Sequence, residues 1–242
     1  MKHALYRRLA PYYDAIYSRK DYKGESSLLK KLIRQNKQSQ GKNLLEVACG
    51  TGRYLEHFEK RFSCTGIDLN AAMLRMAKQR LAKTTLLQGD MRTFDLGAQF
   101  DVVLCLFSSI ANLNNYRELR QTMKNFAHHL KPGGVLILGP WLHPGEFNPS
   151  GPRLFTYDSP RLKVARVDNP KRKGNKGILD FHWLIAEAGK PVQYIAHDSH
   201  ELALFSDRQY LDAMRLAGLQ GRFLKAAKPG TDPLYIATRS RE

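Results

Sequence analysis

The stretch Leu44-Leu45-Glu46-Val47-Ala48-Cys49-Gly50-Thr51-Gly52 decides the fold. A short apolar run, predicted as a strand over Asn43–Ala48, leads straight into a G-x-G turn, and a helix is expected from Arg53 to Lys60. Glycines at such a turn let the backbone reverse sharply and let a ligand come close to it. Asp68 ends the next such run, 22 residues beyond Glu46, where an acidic group accepts both hydroxyls of a ribose. Gly89-Asp90-Met91 closes the third. There Asp90 can accept from the exocyclic amine of an adenine and Met91 can pack on its ring, although the pair also fits an ordinary polar loop. The third glycine of the G-x-G-x-x-G fingerprint is missing, with Leu55 in its place. That glycine lets helix and strand pack closely beneath a pyrophosphate. Its loss, with Glu46 just before the loop, disfavours a pyrophosphate and suits a ligand carrying an ammonium group.

The rest of the chain extends this pattern. Cys64–Asp68, Thr85–Gln88, Phe100–Leu106 and Val135–Leu138 are short and mainly apolar, as in central parallel strands covered on both faces. Between them, Ala71–Leu81 reads as a helix. So does Asn115–Leu130, which carries Leu119, Met123, Phe126, Ala127 and Leu130 at helical spacing before the breaker Lys131-Pro132-Gly133-Gly134. Such alternation builds an α/β, doubly wound sheet. The tail differs. RLKVARV, ILDFHWLIAEA and VQYIAHDSHELAL, within 154–204, read as antiparallel strands, with turns at Asn169-Pro170 and Lys176-Gly177. A helix over Asp207–Ala217, closed by Gly218, and strands over Gly221–Ala227 and Leu234–Thr238 around KPGTDP complete the reading.

Composition bounds the partners. In 242 residues, 39 Lys and Arg face 22 Asp and Glu, a balance of +17 with histidines neutral. That charge favours nucleic acid, phosphorylated ligands or acidic partners, but no RNP signature, zinc finger or basic zipper accompanies it. Hydrophobic residues at 43% suffice for a core and exceed what a disordered chain carries. No apolar run reaches the roughly 18 residues of a membrane span. The N-terminal MKHALYRRLAPYYD lacks the apolar centre of a secretory signal, so a cytoplasmic location is expected. Cys49, Cys64 and Cys105 are odd in number and lack metal-ligand spacing, so neither a disulfide framework nor a metal is expected.

LLEVACGTG, GIDLN, QGDMRTFDL, FDVVLCLFSSI and LKPGGVLIL, in this order and spacing, resemble class I S-adenosylmethionine-dependent methyltransferases over Asn43 to Leu138. LLEVACGTGRYLEHF, GGVLILGPWLHPGEF and HELALFSDRQYLDAMRLAGL, with the N-terminal YYDAIYSRKDY, are similar to the N,N-dimethyltransferases of nucleotide-linked amino sugars of the tylosin and desosamine pathways. The resemblance implies a Rossmann-like fold whose seven-stranded sheet has order 3-2-1-4-5-7-6 with strand seven antiparallel. An antiparallel β insertion follows strand five at about 150–204 and helps form a homodimer and the sugar site. An N-terminal helical lid over 1–40 would precede a methyltransferase domain over 41–242. S-adenosyl-L-methionine is the implied cofactor and S-adenosyl-L-homocysteine its product. Glu46, Ala48, Gly50 and Gly52 are implied at the methionyl part, Asp68 at the ribose, and Asp90 and Met91 at adenine. Tyr13, Tyr22, Leu69, Met73 and Phe107 are expected beside them.

Methyl transfer from a sulfonium is an in-line displacement with a neutral leaving group, so alignment and exclusion of water matter most. The expected acceptor is a small molecule, an amine nitrogen of a (nucleotide-linked) amino sugar or similar metabolite. Loops after strands four and five supply the candidates. His143 is either a general base, an acceptor hydrogen-bond partner or a surface histidine. Asn112 is a candidate to orient the acceptor and Trp141 to wall the pocket. Tyr13 and Tyr17 are candidates to cover the sulfonium by cation–π contact. Each also fits plain packing. Ala111-Asn112 stands where the amino-sugar group carries glycine and then histidine or tyrosine. Arg161, Lys163, Arg166, Lys171, Arg172, Lys173 and Lys176 either hold nucleotide phosphates or edge a solvated hairpin. Two alternatives stay open: a methyltransferase acting on RNA or protein, and a non-catalytic S-adenosylmethionine-binding protein.

Overall fold

A computed structural model describes residues 3–226 and 232–241. Helices α1 (Ala10–Ile16) and α2 (Tyr22–Asn36) precede strand β1 (Asn43–Val47). Then come β2 (Ser63–Asp68), α3 (Ala71–Arg80), β3 (Thr85–Gln88), β4 (Phe100–Cys105), α4 (Tyr116–His128) and β5 (Leu130–Leu138). The insertion holds β6 (Arg153–Asp158), β7 (Leu162–Asp168), β8 (Lys171–Lys173), β9 (Lys176–Glu187) and β10 (Gln193–Ala203). Helix α5 (Asp207–Leu216) and strands β11 (Leu219–Leu224) and β12 (Leu234–Arg239) follow.

The main sheet runs β11-β12-β5-β4-β1-β2-β3. Strands β1 to β5 pair in parallel, and β12 is antiparallel to both β5 and β11. With the last two strands counted six and seven, this is the expected order. The insertion forms its own antiparallel sheet, β10-β9-β7-β6, with β8 on β9.

Period two within wholly apolar strands explains the layering. Leu45, Val47, Val103, Leu136 and Leu138 face α4 and α5. Leu44, Val102, Leu104, Val135 and Ile137 face the other way, onto Leu29 and Ile33 of α2 and Ala77 of α3. Each such side chain contributes about 1.5–3 kcal/mol on burial. Sheet edges and helices thus fix the positions of the strand tips, where the site lies. The helices begin where side chains satisfy their free N–H groups. Asn115 accepts from the Glu118 N–H at 3.0 Å, and Ser206 and Gln209 form a capping box on α5. A third core joins the N-terminal segment to the insertion through Leu5, Leu9, Ile16, Phe181 and Trp183.

Several boundaries differ from the sequence reading. The helix expected over Arg53–Lys60 is a single 3-10 turn at Leu55–His57, because its bonds alternate between partners three and four residues back. Helix α4 stops at His128, and the Lys131-Gly134 breaker lies inside β5, where pairing with β4 slips. The turn expected at Lys176-Gly177 sits at Gly174-Asn175 instead, since Gly174 adopts φ 57. Ala227 and most of the KPGTDP turn lie outside the described residues. Among the described residues no helix is long and apolar enough to cross a membrane.

Candidate active site

The turn after β1 holds three residues in the left-handed region: Ala48 at φ 58, Gly50 at φ 54 and Gly52 at φ 76. For an alanine that conformation costs about 1–2 kcal/mol, so the surroundings must hold it. They do so by bonds from the turn's own N–H groups: Cys49 N–H donates to the Ile67 carbonyl at 2.9 Å, and Gly50 N–H to the Asp68 side chain, Oδ2, at 2.9 Å. The two glycines serve different ends. A Cβ on Gly50 would meet nothing within 4 Å, so its backbone is open to a ligand. A Cβ on Gly52 would stand 2.6 Å from Leu81 Cδ1, so this glycine lets the turn pack on α3. Gly52 is not among the residues that line the cavity.

Two acids sit beneath the turn. Asp68 accepts from Gly50 and, through Oδ1, from the Asn70 N–H at 2.8 Å. Burial pushes its carboxyl up, and these bonds offset only part of that rise. Glu46 is buried beside it, and Oε2 has no hydrogen-bond partner. Burial first, then the Asp68 charge, holds the Glu46 carboxyl well above the usual range. An orphaned buried carboxylate oxygen next to an open glycine fits a ligand that brings an ammonium group and ribose hydroxyls.

A cavity of about 480 Å³ opens from this point, a volume in the range of small-molecule sites. Ala48, Gly50, Asp68, Leu69 and Met73 form one end, with Asp90 and Met91 beside them. Arg92 grips both oxygens of Asp90, at 3.0 and 2.6 Å, and its hydrogen bonds hold that carboxyl below the usual range. A contact from Asp90 to an adenine amine has to be added to this grip. Tyr13, Tyr17 and Phe107 roof the cavity, with ring centroids 4.7 Å apart for the tyrosine pair and 5.0 Å for Tyr17 and Phe107. Phe107 and Ser108 are themselves left-handed, at φ 51 and 61, a second strained turn at the tip of β4.

The opposite end is basic and aromatic. Arg166 reaches the cavity from β7, its guanidinium 4.4 Å from the Phe181 centroid, with Nε buried, without a hydrogen bond, and 3.8 Å from Asp168 Oδ1. Arg153 lines it too and is ion-paired to buried Asp168. His200 lines it from β10, with Nε2 3.1 Å from Asp198 Oδ1, and Asn112 lies on the same wall. The N-terminal segment ties the two ends together. Asp198 accepts from the N–H groups of Ala4 and Leu5 at 2.6 and 3.0 Å, and Tyr12 donates to Glu187 at 2.9 Å. Asp14 accepts from Thr51 Oγ at 2.7 Å and pairs with Arg80.

Four expected residues do not line the cavity: Glu46 and Gly52, described above, and His143 and Tyr22. His143 turns away from it: Nε2 is 3.1 Å from the Tyr235 hydroxyl, and the ring packs on Phe223 and Tyr210. Tyr22, the first residue of α2, packs edge-on against Tyr54 at 5.0 Å inside the helix layer. Of the basic run, only Arg166 lines the cavity; Lys163 pairs with Asp158 and Lys176 with Glu201 on the hairpin surface. The sequence reading missed Arg153 and His200. The only available signal was Asp198-x-His200, two polar residues on the buried face of a strand.

The chain matches a family model described as a methyltransferase domain over residues 44–134. It is 38% identical, over 91% of its own length and 94% of the relative's, to a dTDP-3-amino-3,4,6-trideoxy-alpha-D-glucopyranose N,N-dimethyltransferase of Streptomyces venezuelae. It superposes on the crystal structure of Streptomyces venezuelae DesVI with a TM-score of 0.88 and 37% identity, covering 96% of this chain and 98% of that one. It also superposes on CalS10 with bound S-adenosylmethionine, an amino pentose methyltransferase of Micromonospora echinaspora involved in calicheamicin biosynthesis. There the TM-score is 0.81 at 33% identity, with 91% and 92% of the two chains covered.

Proposed function

The chain belongs to the S-adenosylmethionine-dependent methyltransferases, in the family of the N,N-dimethyltransferases of nucleotide-linked amino sugars, and on that premise we propose that its own acceptor is the amine nitrogen of a nucleotide-linked amino sugar. One observation carries the reading: a single cavity joins a strained end at Ala48, Gly50 and Asp68, with Glu46 buried behind it, to a basic end at Arg153 and Arg166. A nucleotide sugar brings two phosphates to a basic end, and a guanidinium is suited to hold them.

When bound, S-adenosylmethionine supplies the methyl group on a sulfonium. The residues do the rest. Asp68 accepts from ribose hydroxyls, and Glu46 with Asp68 offsets the ammonium charge. Tyr13 and Tyr17 roof the reacting region and exclude water; burial pushes the Tyr13 hydroxyl well above its usual range, so it stays a neutral donor. Asn112 orients the acceptor. His200, with Nε2 held against Asp198, uses Nδ1, the nitrogen that faces His3 at 3.4 Å, to take the proton that the amine loses. The lid is the segment ahead of Tyr22, because α2 belongs to the sheet cover. Exposed Leu154, Val167, Leu184 and Tyr194 on the insertion support a homodimer through that sheet, and the reading places the enzyme in the cytoplasm.

The test is turnover. Purified protein with S-adenosylmethionine and a dTDP-linked amino sugar is expected to yield a product carrying one or two added methyl groups by mass spectrometry. Methylation of a tRNA pool at low salt, with none of the sugar, would instead favour the RNA alternative.

A further inference from the structure

Asp180, His182 and His197 meet on the outer face of the insertion, and we propose that they form a binding site for a first-row divalent transition metal such as zinc. Asp180 and His182 lie two apart on β9, so they share one face of the strand. Their neighbours Phe181 and Trp183 point into the core. His197 comes from β10, where pairing with β9 slips between Ile195 and Asp198. That bulge holds His197 at φ 56, and its ring lies 4.8 Å from the His182 ring. Bulges re-aim side chains, and a left-handed residue other than glycine persists only where its surroundings fix it.

The donor atoms converge. Asp180 Oδ2 lies 2.9 Å from His197 Nδ1 and 3.7 Å from His182 Nε2. One donor from each residue falls within 4.8 Å of the other two. A tetrahedral zinc with bonds of about 2.0–2.1 Å sets its donors about 3.3 Å apart, so small side-chain rotations close the set. Asp180 Oδ1 is buried without a hydrogen-bond partner, and Oδ2 is the oxygen turned to the two histidines. His182 Nδ1 stands 2.8 Å from the Tyr194 hydroxyl. For Nε2 to bind metal, Nδ1 must carry the proton and donate it to the tyrosine oxygen. Such an outer contact fixes the tautomer and ring plane of a ligating histidine.

Two imidazoles and one carboxylate suit zinc, cobalt or nickel rather than magnesium or calcium. The fourth position opens on a hollow of about 540 Å³ walled in part by Asn169, Lys171 and Ser199, with room for water. The site lies across the sheet from the methyl-transfer cavity and does not depend on the acceptor. No metal spacing shows in the sequence, because strand pairing, and not sequence separation, brings the third ligand in.

Chelator-treated protein without a histidine tag, titrated with zinc chloride by calorimetry, tests this. The expected result is one zinc per chain and a zinc-raised melting temperature that a chelator reverses. Asp180→Asn and His197→Asn, the latter chosen because asparagine tolerates the left-handed region, are each expected to weaken zinc binding by at least about 10–100-fold, and Tyr194→Phe by about tenfold. Unchanged circular dichroism and S-adenosylhomocysteine binding would verify that the variants fold. No saturable binding in the wild type, half a zinc per chain, or wild-type affinity in both ligand variants would overturn the site.

Discussion

The two ends of the cavity are built on different principles. At the donor end, the tips of β1, β2 and β3, from Val47 to Gln88, lie close together in the chain and present open backbone at Gly50 with two buried acids. At the acceptor end, side chains from β7, β10, Arg153 on β6 and the N-terminal segment converge from opposite ends of the sequence. A site made of backbone is tied to the fold itself. One made of long side chains can change its ligand while the sheet beneath it stays as it is, and that is where Asn112 and Arg166 sit.

Substitutions at each end should therefore be felt at that end alone. The largest effect is expected from Asp68→Ala, which weakens S-adenosylhomocysteine binding by about 1.5–3 kcal/mol, or about 10–150-fold, in a calorimetric titration. Next, Arg166→Ala is expected to raise the acceptor KM about tenfold while leaving S-adenosylhomocysteine affinity at the wild-type value, as for loss of a hydrogen bond to a charged group. Arg166→Lys should not restore it, since an ammonium lacks the planar stack on Phe181. Equal losses of donor and acceptor binding in either variant would dissolve the distinction.

Glu46→Gln sharpens it from the side of stability. Glu46 and Asp68 titrate above the usual carboxylate range in the fold. Above that range the folded chain holds more protons than the unfolded one, so ligand-free protein loses stability as pH rises through the raised values. Glu46→Gln is expected to flatten that fall and stabilise the ligand-free protein at neutral pH by about 1–3 kcal/mol, while weakening S-adenosylhomocysteine. Melting curves across pH, with and without ligand, read both. The smallest effect belongs to His143→Ala. Loss of its bond to Tyr235 should lower the melting temperature by about 2–4 °C at an expected cost of about 1 kcal/mol, with kcat unchanged. A collapse of kcat would return His143 to the site.

The same division governs what the sequence discloses. The parallel strands, the β1 turn and the places of Asp68 and Asp90 at strand ends are legible in local patterns, short apolar runs and turn glycines, whereas the sheet order comes with the family resemblance. Gly52 shows where a local motif stops informing, because a packing glycine and a ligand glycine look alike until the Cβ environment is known. His143 was misplaced because the direction of a loop side chain depends on Tyr235 and Phe223, distant in the chain. Arg153, His200 and the pairing of Asp198 with Ala4 and Leu5 were hidden for the same reason, since β-register across 190 residues sets them and no local motif does.

The central claim is that the crevice between Gly50 and Asp68 receives the adenosyl donor. A crystal structure with S-adenosylhomocysteine tests it most directly. The expected density places the ribose on Asp68 and the amino group near Glu46; a crevice closed by side chains, or the ligand bound elsewhere, would contradict it.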